Sequence, residues 1–184
     1  MEKNIYVVRH CEATGQSSDS PLTTRGFQQR EELKSFFKGI PVNRILSSLL
    51  LRARQSISLL ASERDLPLEI DDRLTERILS TVFLNNWLDK LKATFSDMDL
   101  AYNGGESSKE AMNRSMEVVK DVLNRDEKNT VIITHGNLMA LLLKNFDSGF
   151  GFEEWKSLTN PDIYHLIFRD QKTELKRIWN GWNL

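Results

Sequence analysis

Two short runs of consecutive apolar residues set the strongest limit on what this chain can fold into: Ile5-Tyr6-Val7-Val8 and Val131-Ile132-Ile133-Thr134. Both are rich in β-branched side chains. An apolar run without alternation describes a strand covered on both faces, the condition met in a parallel sheet sandwiched between helices. Each run stops at a polar pair. Arg9-His10 ends the first and His135-Gly136 ends the second. A cation and an imidazole are a poor way to build a core and a good way to hold an anion at the rim of a sheet.

The intervening segments carry helix and turn signals. Thr23 or Thr24 caps a helix predicted over roughly 24–37, with Phe27, Leu33, Phe36 and Phe37 as its apolar stripe, and Gly39 and Pro41 stop it. A strand over 43–48, a helix from about 50 to 63 and a short strand near 68–70 follow. Ser107 and Glu110 have capping-box spacing ahead of a helix over 107–124. A strand over 130–135 leads into an apolar helix starting at Leu138, and residues 162–169 and 173–179 read as a terminal hairpin around Asp170-Gln171. Phe83, Trp87, Leu88, Leu91 and Phe95 recur at helical spacing within 77–103, which predicts an amphipathic helix placed to act as a lid. Strands alternating with helices imply one α/β domain over 1–184, a three-layer sandwich with a mostly parallel mixed sheet and helices on both faces. Such sheets bind ligands at the carboxyl ends of their strands. Arg9-His10, the stretch from Ser48 to Arg52, and His135-Gly136 all fall there.

Several function classes drop out. The formal net charge is −1 with no block of like charge, so generic nucleic-acid binding is not expected. The N-terminus runs straight into the first strand without a signal-like segment, and no stretch is long enough to cross a bilayer, so a reducing cytoplasm is expected. The single cysteine, Cys11, excludes an internal disulfide. A cysteine-phosphatase loop needs an arginine six positions after the thiol, and that position is Ser17. The three histidines lack metal-ligand spacing, and no Gly-rich nucleotide loop is present.

Phosphoryl transfer fits what remains. The transferred group is anionic and calls for fixed cations, and Arg9 and Arg52 supply paired donors. A neutral imidazole attacks phosphorus if one ring nitrogen is free and the other is held, which suits His10. Glu76 is the candidate acid for the leaving alcohol, because a neighbouring phosphate dianion favours the protonated carboxyl. Taken singly, each residue has a plainer reading. His135 could be a loop histidine, Glu76 a solvated acid, and Arg25 and Arg54 surface cations. His165, inside an apolar strand, reads as structural, and Glu12 as structural or as a partner for an arginine.

In order along the chain, Arg9-His10-Cys11-Glu12, Pro21-Leu22-Thr23-Thr24-Arg25-Gly26-Phe27-Gln28-Gln29, Ser47-Ser48-Leu49-Leu50-Leu51-Arg52-Ala53-Arg54-Gln55-Ser56, Leu74-Thr75-Glu76, Gly104-Gly105-Glu106-Ser107 with Arg114, and Thr134-His135-Gly136 resemble the motifs of the histidine phosphatase superfamily, also called phosphoglycerate mutase-like. The resemblance implies a phosphomonoester hydrolase working on a small phosphorylated metabolite without metal or cofactor. It implies that His10 is transiently phosphorylated, that Arg9, Arg52 and His135 complete the phosphate pocket with Gly136 beside them, and that Glu76 acts as acid and then base. Many members carry asparagine at the position of Gln16, which is therefore expected to contact phosphate. The chain departs from the pattern at Cys11, where glycine is usual, at Leu49, where proline is frequent, and after Glu76, where a Gly-x-Trp-Glu-Gly block is missing. Two alternatives share the same pocket: a cofactor-dependent mutase, and a binding protein that has lost turnover.

Overall fold

The computed structural model describes residues 2–170 and 172–180. Strand β1 (Lys3–Arg9) is followed by helix α1 (Thr24–Phe36), β2 (Arg44–Ser47), α2 (Leu51–Glu63) and β3 (Leu68–Ile70). A one-turn 3-10 segment, Asp72–Leu74, leads to α3 (Trp87–Ser96) and α4 (Ser108–Leu123). Then come β4 (Asn129–Thr134), α5 (Gly136–Lys144), the short α6 (Phe152–Lys156), β5 (Asp162–Arg169) and β6 (Lys172–Arg177). The six strands lie in the order β3-β2-β4-β1-β5-β6. The first four run parallel, while β5 and β6 are antiparallel additions beside β1. This is the predicted mixed sheet.

Strand period divides the core in two. Ile5, Val7, Leu46 and Ile132 point to one face and meet α4 and α5 through Val119, Val122, Met139 and Leu142. Tyr6, Val8, Ile45, Val131 and Ile133 point to the other and meet α1 and α2 through Leu33, Ile57 and Leu60. Burial on both sides is what makes the strands apolar at consecutive positions. The two longest parallel strands, β1 and β4, pair directly with Arg9 opposite Thr134. Their ends, and hence His10 and His135, emerge side by side. The outermost strand, β6, has exposed side chains at every position except Leu175.

Some expected features are placed differently. The predicted helix within 77–103 is confined to Trp87–Ser96, and 79–86 forms irregular loop. Phe83 is 89% exposed and lies outside that helix, while Leu91 is its buried apolar contact. Glycines 104 and 105 show why this loop is fixed: a Cβ on Gly105 would lie 2.2 Å from the Leu79 carbonyl oxygen. Phe27 faces outward beneath Arg30 instead of joining the core. Trp179 packs on the domain, 5.5 Å from the Phe36 ring, while Trp182 and the hairpin residue Gln171 lie outside the described residues.

Candidate active site

The chain leaves β1 at Arg9, and His10 is fixed immediately by its backbone. Its N–H donates to Thr134 O at 3.0 Å, and its carbonyl accepts from Asn160 Nδ2 at 2.7 Å. The ring Nδ1 lies 2.6 Å from the Cys11 carbonyl oxygen. A carbonyl only accepts, so Nδ1 carries the proton and Nε2 keeps its lone pair. Burial, Arg52 and Arg9 lower the His10 pKa to about 3, against the opposing hydrogen bond to Cys11. The imidazole is therefore neutral in ordinary conditions.

His135 meets it with ring centroids 5.0 Å apart. His135 is fully buried, and burial followed by the charges of Arg52 and Arg9 depresses its pKa well below the usual imidazole value. Its Nε2 lies 2.7 Å from Ser48 Oγ, and its buried Nδ1 has no partner among the described residues. Ser48 Oγ already accepts the Leu50 N–H at 3.2 Å.

Two guanidinium groups flank the rings. Arg9 Nη1 donates to Leu158 O at 3.0 Å, and Arg52 Nη1 donates to Ser17 O at 2.9 Å and Gln16 O at 3.3 Å. Among the described residues neither arginine hydrogen-bonds a carboxylate, and the buried Nε of each has no partner. Burial lowers both pKa values, opposed by the charge of Glu76, yet a guanidinium keeps its proton. Gly136 explains its own place in the motif. A Cβ there would sit 3.0 Å from Cζ and Nε of Arg9, so a side chain at this position would push the guanidinium a few tenths of an ångström off the start of α5.

Glu76 reaches the same helix start. Its Oε2 accepts from Asn137 N at 3.0 Å and its Oε1 from Leu138 N at 2.8 Å and Arg77 N at 2.8 Å. The first turn of a helix offers such free N–H groups to anions. A cavity of about 490 Å³ opens here, lined by Arg9, His10, Gln16, Glu76 and Gly136, with Leu79, Trp87, Leu91 and Trp155 as its apolar wall. Arg52 and His135 lie beneath its floor, almost wholly buried.

Arg9, His10, Arg52, Glu76, His135 and Gly136 are thus brought to one end of the sheet. Gln16 lines the cavity through an exposed side chain, and its carbonyl holds Arg52. Glu12 does not hold an arginine: its carboxylate accepts from Thr23 Oγ1 at 2.7 Å. Cys11 has no positive φ, packs among apolar residues, and burial pushes its thiol up to about 12. It is a core residue, and its backbone N–H donates to Ser56 Oγ at 2.8 Å. His165 stacks on Tyr6 and pairs with Asn4, as a structural histidine should. Sequence reasoning passed over Arg77, Asn137 and Asn160, all of which line the cavity. Arg77 was signalled only by following Glu76, and Asn137 only by standing in the first turn of α5.

The profile of the histidine phosphatase superfamily (branch 1) matches residues 5–181. The chain belongs to that superfamily. An adenosylcobalamin/alpha-ribazole phosphatase of Escherichia coli (strain K12) is 21% identical to it, over 96% of this chain and 95% of that protein. Among solved structures, a mycobacterial glucosyl-3-phosphoglycerate phosphatase superposes with a TM-score of 0.76 at 21% identity, covering 98% and 99% of the two chains. Bacillus stearothermophilus YhfR gives a TM-score of 0.75 at 21% identity, covering 95% and 96%. At this identity the structural matches establish a shared fold, the phosphoglycerate mutase-like α/β sandwich of the superfamily.

Proposed function

We propose that this member of the histidine phosphatase superfamily hydrolyses small phosphomonoesters through a phosphohistidine on His10. The observation that carries the reading is the neutral His10 ring, with Nε2 free and Nδ1–H held by Cys11 O, facing His135 between Arg9 and Arg52. In the first step His10 Nε2 bonds to phosphorus and the ester P–O bond breaks. The alcohol leaves with a proton from Glu76. In the second, water adds to phosphorus, the N–P bond breaks, and Glu76 takes the water's proton as inorganic phosphate departs. Arg9, Arg52 and His135 donate to the equatorial oxygens, where negative charge collects.

The relatives named as phosphatases support the hydrolytic outcome over phosphoryl return. The matched domain extends over nearly the whole chain, and residues 77–103 supply its lid through Leu79, Trp87 and Leu91. No helix among the described residues is long and apolar enough to cross a membrane. The cytoplasm is the compartment we assign, on the single buried thiol.

The deciding experiment is metal-free turnover of p-nitrophenyl phosphate by the protein and by His10→Ala, with acid-labile incorporation of phosphate from a labelled ester. The protein releases phosphate and traps label, and the variant does neither. Full turnover by His10→Ala would overturn the proposal. Arg9→Ala or Arg52→Ala each lowers kcat/KM roughly a hundredfold or more, the scale of losing a fixed oxyanion donor.

A further inference from the structure

Arg9 rests on a turn that leads into the terminal hairpin. Its Nη1 donates to Leu158 O at 3.0 Å and Thr159 O at 3.4 Å, and its buried Nε has no partner among the described residues. The direction of the guanidinium therefore follows the place of those two carbonyls. Both lie between α6 and β5, in a stretch outside any strand.

A buried carboxylate fixes that stretch. Asp162 opens β5, is 0% exposed, and stands opposite Arg9 in the pairing with β1. Its Oδ2 accepts from Thr159 N at 2.9 Å and its Oδ1 from Ile163 N at 2.9 Å. Arg177, on β6, closes the clamp. Its Nε donates to Asp162 Oδ1 at 3.1 Å, and its Nη2 donates to Asp162 Oδ2 at 2.6 Å and to Ser157 O at 3.0 Å. A paired guanidinium and carboxylate of this kind sets angle as well as distance. Within the same turn Asn160 Nδ2 donates to His10 O at 2.7 Å.

A carboxylate that only stapled the hairpin would not need to stand behind a phosphate-binding cation. The charge of Asp162 is felt at Arg9, where it favours the guanidinium against burial. Arg177 engages both carboxylate oxygens, so Arg9 is not drawn into an ion pair and keeps its Nε for an anion.

We propose that Asp162, locked by Arg177, is a positioning residue that aims Arg9 at the phosphoryl group through the Leu158 and Thr159 carbonyls. The inference rests on the phosphatase reading and adds the antiparallel hairpin to the machinery of the site.

A double-mutant cycle tests it, with kcat/KM for p-nitrophenyl phosphate measured on the unaltered protein, Arg9→Ala, Asp162→Asn and the double variant. A misfolded fraction scales both backgrounds alike, so the coupling between the two positions reads positioning alone. Asp162→Asn keeps the shape but places a donor where Thr159 N and Arg177 need acceptors. With Arg9 present it lowers kcat/KM about tenfold or more, the scale of one lost charge-assisted hydrogen bond. With Arg9 already alanine it costs less than about threefold. Arg177→Gln, which alters the more exposed partner and leaves Asp162 its two backbone donors, shows the same pattern and decides the matter where Asp162→Asn does not fold. Equal factors in the two backgrounds, or no loss with Arg9 present, overturn the proposal. No hydrolysis by the unaltered protein overturns the phosphatase reading instead, and this one with it.

Discussion

His10 is held neutral by what surrounds it, and this has a price in acid. Its pKa falls from 6.5 in an unfolded chain to about 3 in the folded one. Between those values the unfolded state binds the extra proton, so stability rises with pH across the window and is lost as pH drops from about 6.5 towards 3. The slope approaches about 1.4 kcal/mol per pH unit for one proton. Urea denaturation of His10→Asn from pH 7 to pH 4 should show a shallower decline than the unaltered protein. The same low value means that log kcat/KM shows no acid limb from His10 between pH 5 and 8. Ser48 tests the other ring. Its hydroxyl lies 2.7 Å from His135 Nε2, and donation to that nitrogen is the arrangement the proposed chemistry requires, because it leaves Nδ1–H for an oxyanion. Ser48→Ala should lower kcat about five- to tenfold, as expected for one lost buried hydrogen bond, while Ser48→Thr retains most of it. Arg9, His10 and His135 were legible in the sequence because chemistry-bearing residues at the ends of apolar strands have few other reasons to be there, while Arg52 and Glu76, in α2 and after the 3-10 segment, stood out only as the cation and acid of the ordered motifs. Ser48 was not, since its role depends on a partner 87 positions away.

The joints between elements explain motif residues that do not line the cavity. Gly26 lets α1 sit against the catalytic loop: a Cβ there would lie 2.0 Å from the Glu12 carbonyl oxygen. Glu106 binds Arg114 through both oxygens, at 2.7 and 2.9 Å, while Arg114 Nη1 reaches Arg73 O at 2.6 Å. The Gly104–Ser107 block and Arg114 thereby tie α4 to the segment carrying Glu76. Ser107 opens α4 with a capping box, its hydroxyl accepting from Glu110 N. Ser107→Ala should reduce unfolding free energy by about 1 kcal/mol with near-normal kcat, measured by denaturant titration. Gly136→Ala should do the reverse. The fold survives, because alanine suits a first helical turn, but Arg9 is displaced and the inhibition constant of inorganic phosphate rises about tenfold. The strand order and α1, α2, α4 and α5 could be anticipated from period and caps. Residues 77–86 could not, because helical spacing of aromatics also arises when a loop exposes some of them and a short helix carries the rest.

Across the whole molecule, the carboxyl end of the parallel strands carries an excess of buried positive charge. Arg52 is 1% exposed and Arg9 largely enclosed, and both rest on backbone carbonyls instead of carboxylates. Inorganic phosphate should therefore raise the melting temperature by mass action, by an amount that grows with the logarithm of its concentration. Arg52→Met should abolish that shift while leaving the phosphate-free protein as stable or about 1 kcal/mol more so, since an apolar group replaces a buried charge. Calorimetry with and without phosphate reads both outcomes. At the far margin of the sheet, β6 presents Lys172, Glu174, Lys176 and Arg177 to solvent, and β3 at the opposite margin is three residues long. A second chain adding edge-on to β6 would have to stack its own charges beside these, and one adding to β3 would gain only a handful of ladder bonds. The fold thus resists fibrous growth from either border, so the protein can be concentrated without seeding cross-β aggregates.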